Sequence, residues 1–285
     1  MNDALTVAGH ALREAVRRKV LLVVALLTTG FLALYALAAF EAFNSLEGFG
    51  PSGIVPIDER ALAGGTLLGL AMFVALFLGV VLAVFLTLGA VRGDAERGLL
   101  QPLVVRPVGR TTLLIGRLLA ASAVCVPYVV GVFLIAVLIT HAAGDFTPSS
   151  LVVPAGGLAL GVVTVVAASL LGSSLLGTTA NGIAIFMIFA TGLSGGLMGQ
   201  IGDELEVNGL STASSVISWL VPFEALYQNG LHALTADIGG VTGVIVELGP
   251  FGGAESVGGG IWPWAIAWSV AVLALAAVAF GRRDL

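Results

Sequence analysis

Residues 146–202 read FTPSSLVVPAGGLALGVVTVVAASLLGSSLLGTTANGIAIFMIFATGLSGGLMGQIG and contain no Asp, Glu, Lys or Arg. As a single helix this stretch would be about 85 Å long, whereas the hydrocarbon core of a bilayer is about 30 Å thick. The chain must therefore fold back within it, and the turn-forming cluster Gly177–Gly182 is the most favourable place for the break. Two membrane spans are predicted here, at about 151–176 and 183–201.

Four other long stretches also lack charged residues: 20–40, 61–91, 118–144 and 256–281. A span takes roughly 20 apolar residues, so these stretches predict four more spans, at about 20–40, 63–91, 113–140 and 261–281. The first span follows Arg17-Arg18-Lys19. Its apolar run is longer than the roughly 7–15 residues of a secretory signal core, which favours a retained span.

The composition excludes most other classes of protein. Of the 285 residues, 58% are hydrophobic and only 10% are charged, and the mean hydropathy is +1.07. A soluble domain has about 25% charged residues, so soluble enzymes, nucleic-acid-binding proteins and disordered proteins are excluded. The predicted fold class is an all-α integral membrane protein with six transmembrane helices in one domain, residues 1–285.

The basic residues indicate how the chain is oriented. With six spans, eleven of the twelve Lys and Arg residues fall before span 1, between spans 2 and 3, or after span 6, and only Arg60 falls on the opposite side. Because basic residues favour the cytoplasmic side, both termini and the connection between spans 2 and 3 are predicted to be cytoplasmic. Residues 202–260 then form an extracellular loop. Its uncharged part, 207–223, is interpreted as an interfacial or re-entrant segment outside the core.

The sequence offers little that could bind a metal or a cofactor. The predicted spans contain essentially no ionisable groups, and no Gly-x-x-x-x-Gly-Lys-Ser/Thr phosphate-binding loop is present. The single Cys125 excludes an internal disulfide, and the three histidines share no ligand spacing. We therefore expect no cofactor and no metal in this chain.

One short motif raises a catalytic alternative. Gly192-Leu193-Ser194-Gly195-Gly196 has the form Gly-x-Ser-x-Gly, which is compatible with an intramembrane serine protease that uses Ser194 as nucleophile and His232 or His141 as base. The simpler interpretation is that these small residues allow two helices to pack closely.

The N-terminal residues have an apolar stripe at helical spacing. Leu12 and Val16 lie on this stripe, whereas Arg13 and Arg17 lie on other faces of the same helix. Such a basic amphipathic helix is typical of a segment that lies flat among the cytoplasmic headgroups. We predict an interfacial helix here, which turns into span 1.

The connection between spans 2 and 3, residues 92–117, reads RGDAERGLLQPLVVRPVGRTTLLIGR. Charged residues at its start are followed by apolar pairs and by two prolines, and a plain loop has no need of so many apolar residues facing water. Short segments of this kind suit docking into a groove on a soluble partner.

This connection resembles the pattern of ABC type-2 transporter permeases, which runs roughly Glu-x-basic-Gly-Thr-Leu, then Leu-Leu, then Ser-x-Pro-Val-Ser-Arg and Gly-Lys. The positions that align with this pattern are Glu96, Gly98, Leu99, Pro107, Val108, Arg110 and Gly116. Leu99 replaces the usual Thr, Gly109 replaces Ser and Arg117 replaces Lys, and none of these changes alters the character of the segment. The six spans, the N-terminal helix and the Arg282-Arg283-Asp284 ending are also similar to this family, nearest to its copper-processing and sodium or drug export groups.

The resemblance implies a transmembrane subunit of an ABC exporter, itself not an enzyme, in the plasma membrane of a prokaryote. Two permease copies, identical or not, would pair with two separately encoded ATP-binding subunits that hold ATP and Mg²⁺. The lipid membrane would be the other partner, and no nucleic acid is expected. The residues implied to contact the ATP-binding subunit are Asp94, Glu96, Arg97, Gly98, Leu99, Leu100, Pro107 and Arg110.

Within this implied coupling helix, Glu96, Arg97 and Arg110 would make the polar contacts. Leu99, Leu100 and Pro107 would determine how the helix seats in its groove. A non-catalytic membrane scaffold is a third interpretation, but a scaffold has no reason to carry a coupling segment. The acidic outer face does not identify a substrate.

Overall fold

The computed structural model describes residues 9, 19–46, 58–88, 109–205, 207–236 and 258–281. These parts of the chain contain eight α-helices and no strand. In chain order they are α1 Lys19–Leu46, α2 Glu59–Thr87, α3 Arg110–Gly144, α4 Val152–Leu175, α5 Thr178–Glu204, α6 Asn208–Leu220, α7 Pro222–Thr235 and α8 Ile261–Gly281.

Six of these helices, α1 to α5 and α8, are long and apolar enough to cross a membrane. This confirms the predicted fold class, an all-α membrane protein with six spans. Helix ends coincide with local capping groups: Asp58 accepts a hydrogen bond from the Ala61 amide at the start of α2 (3.0 Å), and Asp145 ends α3 in the left-handed conformation at φ 53°. The predicted amphipathic helix and coupling helix fall outside the described residues.

Helix α4 lies at the centre of the bundle. It packs against α2, α3, α5, α7 and α8, and 61% of its most apolar 18-residue window is buried. In contrast, α1 makes extensive contacts only with α2 and α3, and only 17% of its most apolar 18-residue segment is buried. The leucines on the outer face of α1 are therefore available to lipid or to another chain.

The chain folds back between α4 and α5 as the sequence predicts. The helix ends at Leu175, and only Leu176 and Gly177 separate it from α5. Most of the turn-forming cluster belongs to the first turn of α5, because Thr178 to Gly182 are helical.

Within 202–260, the region predicted as an extracellular loop with an interfacial segment at 207–223, the structure describes α6 and α7. Most of α6 is exposed, whereas α7, which follows it, is buried in the main core. Phe223, Tyr227 and Leu231 recur every four residues, and all three belong to the core cluster. The sequence analysis considered the uncharged stretch 207–223, which ends just before Glu224, and so did not join these residues into one buried face.

Candidate functional site

The predicted coupling residues lie between the end of α2 and the start of α3. Helix α2 ends at Thr87 with Leu88 as its C-cap, and α3 begins at Arg110 after Gly109. Seven of the eight coupling residues, Asp94, Glu96, Arg97, Gly98, Leu99, Leu100 and Pro107, fall outside the described residues, and Arg110 is described only as the first residue of α3. Leu12, Arg13, Val16 and Arg17 of the predicted interfacial helix also fall outside them. All of these roles stay predictions.

A polar cluster lies directly beside the end of α2. The Thr87 hydroxyl is 2.6 Å from the Ser169 hydroxyl on α4, and Asn181 on α5 donates its amide to the Ser169 carbonyl at 3.1 Å. All three side chains are essentially inaccessible. Three helices therefore meet in one hydrogen-bonded cluster, which we call the Thr87–Ser169–Asn181 cluster.

Two further hydroxyl pairs join α1 to α3. Thr28 contacts the Tyr128 hydroxyl at 2.5 Å, and Tyr35 contacts Thr140 at the same distance. Since α1 buries little apolar surface within the chain, these bonds set its position along α3.

A buried acidic residue lies at the start of α7. Glu224 is only 1% exposed. Its Oε2 accepts a hydrogen bond from the Ser218 hydroxyl of α6 (3.1 Å), and its Oε1 accepts one from Gln228 Nε2 (2.9 Å). The helix N-terminus also favours a negative charge at this position. We call Ser218, Glu224 and Gln228 the Glu224 cluster.

Two polar atoms beside this carboxylate have no hydrogen-bond partner among the described residues: Gln228 Oε1 and the Tyr227 hydroxyl. Burial raises the pKa of the Tyr227 phenol above its usual range, and the charge of Glu224 raises it further. The phenol is therefore neutral at physiological pH. Sequence reasoning missed this cluster, although Pro222 at a helix start followed by apolar residues at four-residue spacing was a usable signal.

Glycines of α5 make room for α6 and α7. A Cβ on Gly196 would overlap Glu224 Oε1, a Cβ on Gly195 would lie 2.6 Å from Ile217, and a Cβ on Gly192 would lie 2.7 Å from Phe223. The small residues of this segment therefore serve close helix packing.

The same segment contains Ser194, the nucleophile of the protease alternative. The Ser194 hydroxyl is on an exposed face of α5 and donates to the Ala190 carbonyl of its own helix at 2.9 Å. His141 lies at the end of α3, where its Nδ1 is 3.4 Å from Asp145, and His232 is half-buried on α7. Ser194 therefore satisfies its hydroxyl within α5 and lies on the exposed face, whereas Gly192, Gly195 and Gly196 make the close helix contacts.

Among the described parts of the chain, no three His, Cys, Asp or Glu side chains form a group that could hold a metal ion. Cys125 is buried in α3 and free. Among the described residues, the larger groups of hydrogen-bonded polar side chains are thus the Thr87–Ser169–Asn181 cluster and the Glu224 cluster, beside the two hydroxyl pairs between α1 and α3.

The family model described as "ABC-2 family transporter protein" matches residues 5–285, which is nearly the whole chain. The search of curated proteins found no match to the chain.

Proposed function

The chain belongs to the ABC-2 family of transporter proteins, and from this premise we propose that it is the permease subunit of an ABC exporter in a prokaryotic plasma membrane. In this proposal a separate subunit hydrolyses ATP, and the permease couples that hydrolysis to the movement of a substrate across the membrane. The observation that carries the proposal is the match of the family over residues 5–285, together with six helices that could span a membrane.

The connection between α2 and α3 would dock on the ATP-binding subunit. Glu96, Arg97 and Arg110 would make the polar contacts, with Asp94 and Gly98 beside them. Leu99, Leu100 and Pro107 would fill the groove. This assignment is supported by the alternation of charged and apolar residues in a connection whose arginines predict a cytoplasmic location.

Two permease copies would associate with two ATP-binding subunits, and both termini would lie in the cytoplasm. ATP and Mg²⁺ would be bound by the partner. The basic helix with Leu12, Arg13, Val16 and Arg17 would lie at the cytoplasmic headgroups. On the outer side, α6 would lie at the interface, since its exposed Trp219 is paired with Trp264, whose Nε1 donates to the Trp219 carbonyl.

The first test is purification of the tagged chain from its host in a mild detergent, with identification of the proteins that co-purify. We expect a soluble ATPase with Walker motifs, and we expect deletion of residues 94–110 to abolish its recovery. Recovery of the chain alone, with Ser194 labelled by a serine-reactive probe, would instead favour the protease, and recovery with an unrelated assembly would favour a scaffold.

Point variants test the coupling residues more sharply. Glu96→Ala and Arg110→Ala should leave membrane insertion intact and weaken ATPase association by about 5- to 10-fold, as expected when one contact of roughly 1 kcal/mol is lost. Glu41→Ala is the matched control, because Glu41 is an exposed acid near the C-terminal end of α1, on the side of the membrane predicted to be opposite the coupling residues. Unchanged association in both coupling variants would contradict the assignment.

A further inference from the structure

The Thr87–Ser169–Asn181 cluster lies at the end of α2, from which the chain continues into the proposed coupling segment. Thr87 is the last residue of α2, and the chain continues from Leu88 directly into residues 89–108. We infer that Ser169 and Asn181 are positioning residues that transmit movement of the cytoplasmic end of α2 to α4 and α5. This inference rests on the proposed function, because it requires an ATPase that moves the coupling segment.

The bonds of the cluster run between helices rather than within one helix. The Thr87 hydroxyl bonds its own helix at the Ala83 carbonyl (2.7 Å) and also contacts Ser169 Oγ. Asn181 Nδ2 reaches the Ser169 carbonyl at 3.1 Å and lies 3.4 Å from the Ser169 hydroxyl. In an apolar surrounding such groups have no water to replace a lost partner, so the three helices keep this contact as they move.

Close packing reinforces the hydrogen bonds at the same level of the bundle. A Cβ on Gly172 of α4 would overlap Asn181 Oδ1, and a Cβ on Gly182 of α5 would lie 3.2 Å from Leu88 Cδ1. Leu88 at the end of α2 thus contacts α5 at Gly182, and the Asn181 side chain packs against α4 where Gly172 leaves room for it. Because α5 begins at Thr178, Asn181 is its fourth residue, and movement of α2 would act on the first turn of α5.

Most other hydroxyls in these helices have a different role. Ser173 is buried on α4, one turn beyond Ser169, and donates only to the Leu170 carbonyl of its own helix among the bonds that the structure describes. Such local bonds satisfy the hydroxyl without joining two helices. Ser173 therefore provides a control that is matched in residue type, helix and burial.

The experiment uses the complete complex of permease and ATPase in nanodiscs. A spin label on Met187→Cys, which is exposed on α5, reports the surroundings of α5 in a Cys125→Ala background. Addition of ATP and vanadate should change the spectrum in the parent and in Ser173→Ala. The change should be at least about fivefold smaller in Ser169→Ala and Asn181→Leu, while ATPase association remains at the parent level. Thr87→Ser retains the hydroxyl and should retain the response.

The outcomes separate the two proposals. A full ATP-dependent change in Ser169→Ala and Asn181→Leu, or no change in the parent, would overturn the inference and leave the permease function standing. Equal loss in Ser173→Ala would also overturn it, because the effect would then reflect general destabilisation of α4. Failure of the parent to bind any ATPase would overturn both.

Discussion

Single polar residues form hydrogen bonds between some of the helices in this apolar bundle. Thr164 and Ser173 donate to carbonyls of their own helix, and such hydroxyls can lie in a membrane helix without a neighbour. Ser169, Tyr35 and Glu224 instead bond to another helix. Between apolar helices in lipid the hydrophobic effect gives little selectivity, so interhelical hydrogen bonds specify register, at an average of about 0.6 kcal/mol each.

Replacement of Glu224 by Ala should destabilise the protein by about 2–3 kcal/mol, because Ser218 and Gln228 would lose their acceptor in a buried site. Glu224→Gln preserves the shape and one acceptor, and its loss should be smaller. The measurement is thermal unfolding of the detergent-purified chain, with Glu41→Ala as an exposed control. Equal midpoints for Glu224→Ala and the parent would show that the carboxylate is not a structural acceptor.

At the level of helices, the sequence was sufficient for the spans and insufficient for α7. The six long apolar helices follow from composition and length alone. The fold-back after Leu175 follows from the length of the uncharged stretch and the turn residues that begin at Gly177. Helix α7 is buried through Phe223, Tyr227 and Leu231, whose four-residue spacing is a local signal, whereas the bond between Glu224 and Ser218 joins two helices and is specified by no local pattern. The roles of the coupling residues remain predictions, because they depend on a second protein.

The glycine surface of α5 gives a prediction for the contact between α5 and α7. Gly196→Ala should cost about 1–3 kcal/mol through overpacking, since its Cβ would overlap Glu224 Oε1 and lie 2.8 Å from Gln228 Nε2. Gly30→Ala is the matched control, because nothing lies within 4 Å of a Cβ at that site in α1. It should be neutral or stabilising, since Ala is a better helix former than Gly. Unfolding midpoints of the two variants in the same detergent decide the matter, and equal midpoints would exclude a close contact at Gly196.

For the whole molecule, the charge distribution predicts the orientation, and the structure gives the arrangement around α4. The turn between α4 and α5 carries no Lys or Arg, and the four spans that precede it predict that it lies on the cytoplasmic side.

Cysteine accessibility tests this arrangement. In spheroplasts, Asn44→Cys at the end of α1 should react with a membrane-impermeant maleimide, whereas Leu176→Cys between α4 and α5 should react only after permeabilisation. Both side chains are exposed, so access depends on the side of the membrane. The reverse pattern would invert the proposed orientation, and labelling of both from outside would contradict six spans.

The central place of α4 also has a consequence for biosynthesis. Two of the helices that cover it, α7 and α8, follow it in the chain and leave the ribosome later. Gly157 of α4 lies against α7, since a Cβ added at this glycine would be only 2.7 Å from the Leu226 carbonyl oxygen. Until α7 is made, Gly157 and the surface around it lack their final neighbours. A nascent chain that stops before residue 222 therefore presents an incompletely covered helix, which is the kind of intermediate that insertion chaperones retain and membrane proteases degrade.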